Sequence, residues 1–195
     1  MPSMIPLVRF CLFVLVVVGW AGTVLAAEKT ARYSNGQFGF SFQYPASWFF
    51  AHTSVRNMRV KIVAPENGPA AECAVMVKEY PNAVKAKQSE IDQVFLEPPT
   101  VEALQEVLGQ EGEQLKVTKA STGKLDNRPT HVARYRMRLG FDEYFSGQIA
   151  MTATPGLTWS VSCSGRGQTP EQAEKNFQAW QQSIQGLMHA FRFKK

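Results

Sequence analysis

The sequence predicts an α+β fold, a mostly antiparallel sheet flanked by helices. Three observations predict it. Segments in which apolar and polar residues alternate recur in both halves of the chain, two short segments between them switch to helical spacing, and the chain closes on one long amphipathic helix.

The first long feature is an apolar run at residues 10–27, preceded by nine residues that carry Arg9 and no acid. The run holds no charge and ends in Val24-Leu25-Ala26, the small residues at which a secretory signal is cut. Export with cleavage near Ala26 is the expectation. An uncleaved anchor is the competing reading, because eighteen apolar residues nearly span a thinned bilayer. Against it stand the small-residue end and the abrupt change to Glu28-Lys29-Thr30. The organisation expected is a signal peptide at 1–26, a short polar leader at 27–36 and a single domain at 37–193. Loss of Arg9 with the signal lowers the net charge from +5 to +4. So mild a basic balance, without a dense cluster, argues for solubility and an anionic surface nearby and only weakly for nucleic acid, so no nucleic acid is expected as a partner.

From Phe38 to Tyr44 the aromatics Phe38, Phe40, Phe42 and Tyr44 alternate with small or polar residues, as in a strand with one aromatic face. Pro45 stops it, and Pro45-Ala46-Ser47-Trp48 reads as a turn that tucks Trp48 toward the core. Met58, Val60 and Ile62 mark a second strand. Cys73, Val75 and Val77 mark a third, joined to the second as a hairpin through Pro65 and the Asn67-Gly68-Pro69 turn.

The period then changes. Ser89 begins one short helix that Pro98-Pro99 ends, and Thr100 caps another carrying Val101, Leu104, Val107 and Leu108, which ends near Gly109 or Gly112. This helical insertion crosses between parts of the sheet. Strands return at Leu115 and Val117; at His131, Ala133, Tyr135, Met137 and Leu139; at Phe145 to Met151; and at Leu157, Trp159, Val161 and Cys163. Short turns between them predict an antiparallel meander.

The closing helix is specified at its start. Thr169 caps, Pro170 fits the first helical position and Gln172 completes a threonine-x-x-glutamine box. Ala173, Phe177, Trp180, Ile184, Leu187, Met188 and Phe191 form one stripe, which predicts a single helix over 169–191.

Phe38-Gly39-Phe40-Ser41-Phe42-Gln43-Tyr44-Pro45-Ala46-Ser47-Trp48, followed by the late hairpins and a closing helix ending in Ala190-Phe191-Arg192-Phe193, resembles the PsbP-like superfamily. The resemblance covers most of residues 33–193, and its sharp motif is tyrosine-proline-x-x-tryptophan. It implies an α/β/α sandwich, one antiparallel sheet flanked by helices. Its members include extrinsic photosystem subunits, a nuclear-import cofactor and many exported bacterial proteins of unassigned function.

The two cysteines of the expected mature chain, Cys73 and Cys163, lie on apolar strand faces. In an oxidising compartment an even pair points to a disulfide; two separately buried thiols are the alternative. Cys163 ahead of Ser164-Gly165-Arg166-Gly167 also has the form of a nucleophile at a helix start, and the same loop, with Arg166, that of an anion site. Both are weaker readings than a bridged cysteine and an ordinary helix cap. His52, His131 and His189 lack metal-site spacing, so no metal and no cofactor is expected. No serine elbow or phosphate loop appears.

Arg134, Arg136 and Arg138 make a cationic stripe on one strand face. Either it is a solvated face balanced by acids on the neighbouring strand, or it docks an acidic partner. The function expected is a non-catalytic periplasmic binding or assembly module acting on an envelope protein, with the arginine row as the partner surface. The alternative is a carrier holding a small apolar or amphipathic ligand among Phe38, Phe40, Trp48, Trp159 and Trp180, residues that otherwise serve as plain core.

Overall fold

Alternating side chains bury one strand face only when another layer covers it, and here two layers cover the two faces of one large sheet. The structure, a computed structural model, describes residues 29–109 and 114–194; the expected signal peptide at 1–26 lies outside the described residues. Strands β1 (Thr30–Asn35) and β2 (Phe40–Pro45) pair antiparallel. Strand β3 (Phe49–Phe50) follows the Pro45 turn, in which Trp48 N–H donates to the Pro45 carbonyl at 2.9 Å. Strands β4 (Met58–Val63) and β5 (Ala71–Glu79) form the expected hairpin. Helices α1 (Gln88–Leu96) and α2 (Val101–Gly109) lead across to β6 (Leu115–Leu125), β7 (Arg128–Leu139), β8 (Glu143–Thr154) and β9 (Leu157–Gly167). Helices α3 (Pro170–Ala179) and α4 (Gln181–Ala190) and the short strand β10 (Arg192–Phe193) complete the chain.

The large sheet runs β3-β4-β5-β9-β8-β7-β6, antiparallel throughout, so the late meander is bound to the early hairpin along β5 and β9. In that register Cys73 stands directly opposite Cys163, and the two are joined as a disulfide with their α-carbons 4.0 Å apart. One face of the sheet carries Ile62, Cys73, Val75, Val77, Trp159 and Val161 beneath Phe177, Ile184 and Leu187. The other face, over β6, β7 and β8, holds Val117, Ala133, Tyr135, Phe145 and Ile149 against Leu104 and Leu108 of α2. These are the outer layers of the expected sandwich.

Three expectations need correction. The polar leader is largely β1, held by backbone bonding to β2 and by Tyr33, whose ring lies 5.9 Å from Phe40 and 5.4 Å from Phe42. Local composition hid it, because one tyrosine among polar residues is a weak strand signal. Second, the strands form two sheets: β1, β2 and β10 make a separate three-stranded sheet. Third, the closing helix breaks at Trp180, which has φ −103° and ψ 8° and serves as the end of α3 and the start of α4. The two pieces cover different sheets, α3 packing on β8 and β9 and α4 on β2. Trp180 holds the corner, with its indole N–H donating to the Pro69 carbonyl at 2.7 Å and its ring edge-on to Trp48 at 5.2 Å.

Helix α3 lies directly on the end of β9 because Gly165 leaves room. A β-carbon there would sit 2.1 Å from the Phe177 backbone nitrogen, so no other residue fits without moving the helix.

Candidate docking surface

The position of α3 settles what the arginine row faces. Arg134 points at the helix: its guanidinium donates to both carboxylate oxygens of Glu174, at 3.0 and 3.2 Å, and lies 4.0 Å from the centre of the Phe177 ring. Glu174 also accepts from the Ser146 hydroxyl and from Gln178 Nε2. Partial burial works against its charge, but the bonds from Ser146 and Gln178 and the nearby Arg134 and Arg136 outweigh it and hold the carboxyl below its usual range. The balancing acid therefore comes from the helix above, and not from a neighbouring strand. Arg134 is a structural member of the helix–sheet contact.

Arg136 and Arg138 differ from it. Both are exposed, and side chains two residues apart on a strand share a face. Arg138 donates to the Phe141 carbonyl at 2.9 Å and lies 5.5 Å from the Tyr144 ring centre. Arg136 lines a hollow of about 250 Å³ with Pro170, Glu171, Glu174, Lys175 and Gln178.

Register adds two cations that the arginine spacing does not contain. Lys116 pairs directly with Arg136, and Lys119 directly with Arg134, so both lysines stand on the arginine face, and both are exposed. Strands β6 and β7 together carry three lysines and four arginines and no acidic residue. Like charges set directly opposite one another in a sheet are destabilising. The sequence signal for this surface is the absence of acid across two consecutive strands, which has no motif or spacing of its own.

The other candidate positions resolve differently. Phe40 and Trp159 are 0% and 2% exposed and meet edge to face at 5.7 Å; Phe38 carries the Arg59 guanidinium over its ring at 4.1 Å; Trp48 and Trp180 form the corner described above. All five aromatics thus pack against other side chains between the sheets and the helices. Cys163 is bridged, which removes it as a nucleophile. At the start of α3 the Thr169 hydroxyl accepts from Gln172 N–H at 3.2 Å, and Arg166 faces Glu143 at 3.4 Å, so cap and cation are both engaged. His131 Nε2 lies 3.0 Å from the Glu97 carbonyl, with its ring 4.8 Å from Phe95. Among the described residues no three histidines, cysteines or acids are grouped to hold a metal, and no helix is long and apolar enough to cross a membrane.

By sequence the chain matches no family model and no curated protein. By structure it is similar to cyanobacterial PsbP (CyanoP) from Synechocystis sp. PCC 6803, at 15% identity and a TM-score of 0.53, over 90% of this chain and 98% of that one. It is also similar to a protein from Bacteroides thetaiotaomicron, at 12% identity and a TM-score of 0.51, over 84% of this chain and 48% of that one, about half its length. Identities this low speak to architecture and not to activity. The antiparallel sheet flanked by helices is that of a PsbP-like fold.

Proposed function

We propose that this protein is a non-catalytic module of the cell envelope, exported by its N-terminal apolar run, that docks on the acidic face of an envelope protein. The exported domain is residues 37–193 together with β1. The docking surface is the exposed part of the basic face, Arg136 and Arg138 with Lys116 and Lys119. One observation carries this reading: Lys116 and Arg136 face each other across β6 and β7 with no acid on either strand. An external carboxylate relieves that repulsion, and arginine binds carboxylates with paired hydrogen bonds.

The test is crosslinking in the intact envelope, comparing the native protein with the triple variant K116Q/R136Q/R138Q and leaving Arg134 in place. The expected result is one crosslinked protein, recovered at least tenfold less with the variant. Equal recovery, or a small-molecule adduct on the native protein that is lost on unfolding, overturns docking; the adduct points instead to a carrier built on Phe38, Phe40, Trp48, Trp159 and Trp180.

A further inference from the structure

The large sheet ends in two unlike edges. One is β3, two residues long; the other is β6, eleven residues long. A long unpaired edge is a template for another strand unless something closes it. Among the described residues, closure of β6 is confined to its beginning, where Gln105 of α2 imitates a strand: its Nε2 donates to the Leu115 carbonyl at 2.8 Å and its Oε1 accepts from Val117 N–H at 2.7 Å.

The rest of the edge is open in a definite pattern. Asp126 and Asn127, with φ of 50° and 65°, form the two-residue turn between β6 and β7. Such a turn makes its flanking residues, Leu125 and Arg128, a hydrogen-bonded pair, and bonded and non-bonded pairs alternate from there. Pro129, which has no N–H, falls opposite Lys124 in a non-bonded pair, as the alternation requires. Ala120, Thr122 and Lys124 therefore turn their backbone N–H and C=O groups away from β7. Thr122 and Lys124 are exposed, and Ala120 is half-buried.

We infer that the partner supplies an extended acidic segment that adds to β6 as an eighth strand, bonding the backbone of Ala120, Thr122 and Lys124. This rests on the docking reading above and specifies its geometry. Charge selects the occupant. A second copy of the chain would bring its own Lys116, Lys119 and Lys124 to the same edge, whereas carboxylates at alternate positions of an added strand share one face, where they meet Lys116 and Lys119 beside the arginines. Backbone pairing supplies affinity independent of sequence, and the lysines supply the preference for acid.

The probe is an eight-residue peptide alternating glutamate and threonine, used beside the same peptide with every backbone amide methylated, which keeps the charge and loses the donors. Both are titrated into the isotope-labelled protein while amide exchange is read residue by residue. The expected result is at least tenfold slower exchange at Ala120, Thr122 and Lys124 with the first peptide, and at least tenfold weaker binding of the methylated one. Thr122→Pro, which removes an outward N–H and none from the β7 pairing, should weaken binding of the first peptide to a similar degree. Equal binding of the two peptides overturns strand addition and leaves charge-based docking standing. Binding of neither overturns strand addition as well, and the crosslinking result then decides docking separately. Slow exchange at these three amides before any peptide is added, in a protein that sediments as a dimer, also overturns it.

Discussion

The two halves of the large sheet treat the same helical face in opposite ways. Under α3 and α4, strands β5 and β9 present Cys73, Val75, Val77, Trp159, Val161 and Cys163, each at most 3% exposed. Beyond the edge of α3, strands β7 and β6 present Arg136, Arg138, Lys116 and Lys119, all exposed. Arg134 and Glu174 mark the boundary. The covered half is built for stability and gives up its surface to achieve it. The uncovered half sets lysine against arginine across two strands and leaves both in solvent, with Glu174 at its margin as the nearby acid, which is what a surface shaped for binding looks like from the side of energetics.

Breaking the covered half should produce the largest effect. Replacing Cys73 and Cys163 by alanine opens a loop of 90 residues, and the chain-entropy model gives a loss of about 4 to 5 kcal/mol. Urea unfolding of the variant beside the native protein checks it, and a loss below about 1 kcal/mol would mean that the bridge constrains little. At the boundary, Glu174→Gln leaves Arg134 without its carboxylate and should cost about 1 to 3 kcal/mol.

The same substitution has a pH signature. The Glu174 carboxyl titrates lower in the folded protein than in the unfolded chain, so between those two values the unfolded chain binds more protons. Its contribution is fully present above the ordinary glutamate range and is lost as pH falls through the folded value. Stability curves of the native protein and E174Q should therefore converge as the medium is acidified. Parallel curves would place the effect of the substitution in packing.

In the uncovered half the effect should be small. Arg136→Gln removes a charge that faces Lys116 and also one that favours the Glu174 carboxylate, so stability should move by less than about 1 kcal/mol in either direction. A clear loss would show that Arg136 belongs with Arg134 in the structural set, and the contrast between the halves would fail.

How much of this was legible beforehand follows the range of the interactions. Alternation at Phe40 and Phe42, at Val75 and Val77 and at Trp159 and Val161 is local, and the strands stand where it places them. The Thr169 cap and the Pro170 start are local too, and both are observed. The break at Trp180 is not, because the apolar spacing runs through it unchanged and the cause is a carbonyl at Pro69, far away in the chain. Nor is the split into two sheets, in which β2 takes as its second neighbour β10, a strand more than a hundred residues away. For the candidate surface, the row of three arginines was visible as a row, but its division was not. Only tertiary packing brings Glu174 to Arg134, and only register brings Lys116 and Lys119 beside the other two.

The bond between β5 and β9 also has a consequence in time. As the chain is made, β4 and β5 emerge early with one flank of β5 unpaired, and the strand that fills it arrives after two helices and three further strands. Strand β2 waits longer still for β10, which follows the last helix. Contacts between segments so far apart form slowly, because a long loop must close before any of them contributes. An unfinished chain thus holds its aromatic strands and a lone Cys73 without their partners, so the final thirty or so residues act as the latch of the whole molecule, and shortening them should harm folding more than their modest share of the length would indicate.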